Sequence, residues 1–182
     1  GDVYKRQDVP KPVILVGAQR SSDRPSSDAS SNLMACVRFA TGADRSGVFV
    51  VMHDTPGDDS FAVHIGPRVR KMHTSRRDAF HSINALPAAH LDKDGRMDVR
   101  IDGPRVRDGK AVANVAMEGS VVLLQYYPGM DPKLFEPVFM GSKGIVISGS
   151  GLGHVCEGMI PLIERATSNG SVVVLTSQCL NG

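Results

Sequence analysis

A chain of 182 residues that is 41% hydrophobic and 22% charged has ordinary globular composition, which excludes intrinsic disorder and collagen-like repeats. A net charge of +2, no tryptophan and three tyrosines supply neither the basic surplus nor the aromatic platforms of a dedicated nucleic-acid binder. Cys36, Cys156 and Cys179 form no CxxC pair and no apolar run is long enough to span a membrane, so neither zinc, a disulfide framework nor a membrane anchor is expected, and a cytoplasmic home is simplest.

In chain order, Pro12–Val16 is a short apolar run closed by Gly17 and followed by a polar loop at 21–27. Leu33, Val37 and Ala40 then recur at helical spacing, giving strand, loop and helix. Residues 47–52 read as a buried parallel strand, and Ser60–Ile65 and residues 69–73 as shorter strands. Residues 87–115 are rich in Asp, Arg, Gly and Pro, which predicts a junction. A second strand and helix pattern follows: a strand at 121–126, a helix near 132–139, a strand at 144–148, a helix at 154–168 and a strand at 171–176. Asn169-Gly170-Ser171 fits a glycosylation sequon but reads as the turn between that last helix and strand. The predicted fold is α/β, with parallel sheets in two units. The predicted boundaries are a leader at 1–10, a first α/β unit at 11–86, a junction at 87–119 and a second unit at 120–182.

Lys71 is the candidate for chemistry. It lies in a basic segment with Arg68, Arg70, Arg76 and Arg77, and burial among those charges would favour the neutral amine that acts as a base. In an extended strand Val69, Lys71 and His73 share one face and Arg68 and Arg70 the other. The plainer reading of such a run is a solvated edge or an anion-contacting surface. Gly149-Ser150-Gly151-Leu152-Gly153-His154 sits between a strand and a helix, where backbone amides can meet an anion, although a tight structural turn is the plainer reading of the glycines.

Four segments together resemble the asparaginase-like amidohydrolases: Lys11 through Arg20, Ser27-Asp28-Ala29 with Asn32-Leu33, Val50 through Thr55, and Arg70-Lys71 through Phe80. The stretches from Ser21 to Ala29, Lys71 to Phe80, Gly151 to His154 and Thr176 to Leu180 resemble one branch most, the D subunits of archaeal glutamyl-tRNA(Gln) amidotransferases. The resemblance implies an asparaginase-like parallel-sheet fold, truncated here at both ends, and an enzyme that hydrolyses L-glutamine to ammonia. It implies an E subunit as partner, which uses ATP and Mg to convert Glu-tRNA(Gln) to Gln-tRNA(Gln). The hydrolysis itself requires no cofactor or metal, tRNA is met through the partner, and a homodimer within a heterotetramer is expected.

The resemblance also assigns roles. Lys71 matches the catalytic lysine, Ala18 a loop residue whose main chain contacts the substrate amide, and Gln19 its neighbour in that loop. His154 matches a position that, in some asparaginases, reaches a neighbouring subunit's site, with a different residue type there. The family's two nucleophilic threonine motifs would precede Lys11, and Thr55, Thr74 and Thr176 match neither. Gly1 to Gln7 matches no part of the family and is expected to be a non-native leader, and these residues alone are expected not to hydrolyse glutamine. A local role is expected for the arginines around Lys71 in preference to contact with tRNA. Two alternatives remain open: an L-asparaginase acting alone, and a non-catalytic α/β module binding an anion at residues 149–154.

Overall fold

The computed structural model describes residues 8–112 and 115–182, and the chain divides into two compact units, Gly1–Val115 and Ala116–Gly182. The expected non-native leader at 1–7 lies outside the described residues. Residues 8–10, expected to share that leader, are part of the first unit. Asp8 bridges to Val112, the Arg107 amide donates to the Pro10 carbonyl at 3.0 Å, and Val9 is buried.

In the first unit, β1 (Pro12–Val16) pairs in parallel with β2 (Gly47–His53), joined by helix α1 (Ala29–Gly42). β2 is buried along nearly its whole length, as expected of a Val-rich strand covered on both faces. β3 (Ser60–Ile65) turns back antiparallel to β2, so this sheet is mixed where a parallel one was predicted. β6 (Ala89–Asp92) and β7 (Met97–Val99) extend it antiparallel to the order β1-β2-β3-β6-β7. The predicted junction at 87–119 is therefore corrected, because its first part is sheet. Ala88, Ala89 and Leu91 are fully buried there and alternate with half-buried polar partners, a strand pattern written in small residues. A separate antiparallel ribbon joins β4 (Val69–Lys71) to β5 (Phe80–Ser82). β4 ends at Lys71, short of the expected His73, whose Nδ1 instead accepts from the Ser75 and Arg76 amides at 3.1 Å.

The face that α1 buries differs from the one its apolar spacing suggests. Asn32, Ala35, Cys36 and Phe39 point inward, whereas Leu33, Val37 and Ala40 are exposed. Both stripes satisfy helical periodicity, and the inward one carries the residues that meet β2. Phe39 packs edge-on against Phe49 of β2 with centroids 4.9 Å apart, a burial contributing about 1.5–3 kcal/mol.

The second unit is a three-stranded parallel sheet in the order β10-β9-β8, formed by β8 (Val121–Gln125), β9 (Gly144–Gly149) and β10 (Val172–Ser177). Helices α2 (Glu136–Gly141) and α3 (Ile160–Ser168) contribute Phe139, Leu162 and Ala166 to a core with Ile145, Ile147 and Met159. α3 starts at Ile160, later than the predicted 154, since residues 150–156 form a turn and an extended link, and Pro161 occupies the first helical turn. The sequon falls where expected: Asn169 caps α3 and Gly170 takes φ +88 before β10.

Candidate active site

A pocket of about 470 Å³ opens at the carboxyl ends of β1 and β2, lined by Val16, Gly17, Ala18, Gln19, Lys71 and Phe80 among others. Parallel strands characteristically present ligands at that end. One wall is the loop that leaves β1, and the other is the ribbon of β4 and β5. Val69 and Lys71 both line the pocket while Arg68 and Arg70 do not, in agreement with strand alternation. Lys71 is nonetheless exposed, so the burial expected to favour its neutral form is not met. Its Nζ stands 6.0 Å from the Phe80 ring centroid, and among the described residues it forms no ion pair with a carboxylate.

The neighbouring arginines are committed locally. Arg76 forms a two-bond pair with Asp78, with Nε to Oδ1 at 2.9 Å. Arg77 pairs with Asp58 and donates to the Ser26 carbonyl at 2.7 Å. Arg68 donates to the Asn84 carbonyl at 2.9 Å. These bonds shape the segment that carries Lys71.

The loop wall is held from behind by a buried polar set. Asp28, Asn32 and His53 are each fully buried. The Asp28 carboxylate accepts from the Gln19 amide at 3.1 Å and the Arg20 amide at 2.9 Å. Asn32 donates to the Gly17 carbonyl at 3.0 Å, and Ser27 Oγ donates to the Arg20 carbonyl at 3.0 Å. Residues on both sides of Ala18 are thereby fixed, while among the described residues the Ala18 peptide groups have no hydrogen-bond partner. An exposed, unbonded peptide on a rigid loop is suited to a substrate amide. Burial raises the Asp28 pKa, but the bonds from the Arg20 and Gln19 amides, with His53 nearby, outweigh it and leave it below the ordinary 3.8.

His154 stands exposed in the second unit, on a turn that uses its own amides. The Ser150 amide donates to the His154 carbonyl at 2.9 Å, and the Gly153 and His154 amides donate to the Ser150 carbonyl at 2.9 and 2.8 Å. A Cβ on Gly149 would lie 2.4 Å from the Gly153 carbonyl carbon, and Gly151 and Gly153 take φ +52 and +102. The glycines serve close backbone approach, three amides are engaged within the turn, and α3 starts only at Ile160, so the turn does not open directly onto a helix N-terminus.

Comparison with known proteins places this geometry. A family model described as "Asparaginase, N-terminal" matches residues 4–104, which corrects the expectation that Gly1 to Gln7 matches no part of the family, and one described as "Glutaminase/Asparaginase C-terminal domain" matches 120–182. The chain belongs to the asparaginase family. It is 49% identical over 181 residues to the D subunit of the glutamyl-tRNA(Gln) amidotransferase of Thermococcus kodakarensis, covering 98% of this chain and 41% of that protein. The corresponding D subunit of Methanopyrus kandleri is 50% identical over 177 residues, covering 94% and 39%. The chain thus spans about two fifths of the length of these curated relatives. Among solved structures, the L-asparaginase from Thermococcus kodakarensis superimposes with a TM-score of 0.83 at 28% identity, covering 97% of this chain and 51% of that one. L-asparaginase I from Vibrio cholerae gives 0.82 at 20% identity, covering 98% and 53%, a likeness of fold. The α/β fold is asparaginase-like.

Of the residues singled out from sequence in this family member, Lys71, Ala18 and Gln19 meet in one pocket of the first unit. Asp28, Asn32, His53 and Asp58 received no role from sequence. A signal for them was present: Asp28 and Asn32 stand four residues apart on the stripe that continues to Cys36 and Phe39, and His53 ends an otherwise apolar strand. Among the described residues, no cluster of His, Cys, Asp or Glu is arranged to hold a metal, and no helix is long and apolar enough to cross a membrane.

Proposed function

We propose that this chain carries one wall of the active site of a cytoplasmic glutaminase subunit, which frees ammonia from L-glutamine for a partner E subunit. That partner, using ATP and Mg, converts Glu-tRNA(Gln) to Gln-tRNA(Gln). The observation that carries the reading is the meeting of Lys71 with the unbonded Ala18 peptide in one pocket. The 49% identity to an amidotransferase D subunit supports this substrate system within the family.

Hydrolysis of a side-chain amide requires a nucleophilic oxygen, a base for its proton and donors for the oxygen that gains charge. Lys71 takes the proton of an attacking hydroxyl while the C–O bond forms. The proton passes to the amide nitrogen, the C–N bond breaks and ammonia leaves. Water then cleaves the resulting ester to glutamate. Ala18 holds the amide through its main chain, with Gln19 beside it. The pocket wall described here contains no Ser, Thr or Cys, so the attacking hydroxyl is assigned to the threonine motifs that the family places ahead of the Lys11–Arg20 segment. His154 is assigned to the site of a neighbouring subunit in a homodimer within a heterotetramer.

The test is ammonia release by the full-length protein with its partner. Glutamine turnover coupled to Glu-tRNA(Gln) amidation is expected, and no release from these 182 residues alone. A preference for asparagine with no response to Glu-tRNA(Gln) would instead establish the second reading, an L-asparaginase, which the likeness to the Thermococcus kodakarensis asparaginase structure favours.

A further inference from the structure

Asp28, Asn32 and His53 occupy space beside Phe61 that an apolar cluster could fill, His53 lying edge-on to that ring with centroids 4.7 Å apart. Buried polar groups are costly unless every one is bonded, and here they are. Asn32 Nδ2 donates to the Gly17 carbonyl at 3.0 Å and to Asp28 Oδ2 at 3.1 Å. Its Oδ1 therefore accepts, and the 2.8 Å contact with His53 Nδ1 requires the proton to be on that nitrogen. On the other side of the ring, His53 Nε2 lies 3.2 Å from Asp58 Oδ1. Asp58 is paired with Arg77, which also holds the Ser26 carbonyl. Side-chain bonds leaving the trio thus end on the loop wall, at Gly17, Gln19 and Arg20, or on the carboxylate tied to the Lys71 segment.

We propose that His53, Asn32 and Asp28 form a positioning relay that sets the Ala18 loop against the Lys71 ribbon and so determines affinity for the amide substrate. The proposal rests on the functional reading above for its substrate. None of the three touches the reacting atoms. His53 fixes the Asn32 amide in one orientation, Asn32 and Asp28 fix the loop, and Ala18 is thereby presented unbonded to the pocket. Asp58 is largely exposed, so its contact with His53 contributes less than the buried bond to Asn32.

Two substitutions separate the ring nitrogens. His53→Asn places an amide donor where Nδ1 stood, and His53→Gln places one where Nε2 stood. In the full-length protein with its partner, H53Q is expected to raise KM for glutamine about tenfold or more, the size of one lost buried hydrogen bond, with kcat changed by less than about threefold. H53N is expected to keep KM within about threefold of wild type. Hydrogen exchange at the Gln19 and Arg20 amides should accelerate in H53Q and not in H53N. Equal behaviour of the two variants, or a loss in kcat with KM unchanged, overturns the relay. If H53Q does not fold, Ser27→Ala carries the test, since it removes the bond to the Arg20 carbonyl and should raise KM by about threefold, and an unchanged KM overturns the proposal. The exchange measurement requires no substrate. A full-length protein that releases no ammonia overturns the functional reading, while the relay still stands or falls on the exchange difference.

Discussion

The two units bury different kinds of residue. The first encloses Asp28, Asn32, Ser46, His53, His64 and Asp78, whereas every buried residue of the core of the second is apolar. Fully satisfied polar networks rigidify what they touch, at a desolvation cost that an apolar core avoids. In the first unit that cost falls directly behind the pocket, on the loop opposite Lys71. The polar machinery behind the pocket is thus organised in the first unit, and the second unit, apart from His154, reads as a scaffold whose specificity lies in backbone packing.

The largest expected effect tests that division directly. Lys71→Met in the full-length protein should lower kcat for glutamine by about 10²–10⁴-fold, the range for a lost proton-transfer group, with thermal stability nearly unchanged because the side chain is exposed. His154→Ala, at the residue assigned to a neighbouring subunit's site, should cost less, and a loss as large as that of Lys71→Met would break the contrast. Next in size is Phe39→Ala, which empties a site that is 1% exposed and should cost about 3–5 kcal/mol, read as lost hydrogen-exchange protection in β2. Retained protection would show that the polar set, and not the aromatic contact, anchors α1.

Sequence reached the strands most readily, since runs of Val and Ile bounded by Gly and Pro leave few alternatives, and Ser60–Ile65 emerged with its predicted limits. It misjudged α1 because two stripes share the helical period and the buried one includes polar Asn32. Residues 89–99 were read as junction because Ala88 and Ala89 pack closely without a strong apolar signal. In the site, Lys71 and the Ala18 loop were legible from their resemblance to the family, and their shared pocket follows from strand alternation. The exposure of Lys71 agrees with the plainer reading of its basic run, whereas the pairing of Arg76 and Arg77 was not legible, because it depends on where Asp58 and Asp78 fold.

His64 sharpens the comparison by pH. It is 2% exposed, its Nδ1 meets Ser82 Oγ at 2.9 Å, and among the described residues its Nε2 has no partner. Burial, opposed by the Asp54 carboxylate and aided by His81 and His90, brings its pKa from the ordinary 6.5 down to about 4. The unfolded chain therefore binds this proton first, so stability is fully present above pH 6.5 and is lost as pH falls toward about 4. The loss over that window is roughly 3 kcal/mol, confined to the first unit. His64→Gln should flatten the hydrogen-exchange stability of β3 against pH in that range while leaving β9 unaffected. A profile that stays steep in the variant would assign the acid sensitivity to another group.

The smallest expected effect probes the second unit by backbone packing. Gly149→Ala sets a Cβ 2.4 Å from the Gly153 carbonyl carbon and 2.8 Å from the His154 carbonyl oxygen, both backbone atoms that no rotamer change can move. The turn must open to admit it, which strains the Ser150 to His154 bonds and the 2.9 Å bond from the Gln178 amide to the Gly149 carbonyl. A cost of about 1–3 kcal/mol is expected, read as faster exchange in β9 and β10 with β2 unchanged. Because the Ser150, Gly153 and His154 amides are engaged within the turn, added phosphate should not restore protection. Restoration by phosphate would return residues 149–154 to the role of an anion site and end the description of this unit as scaffold.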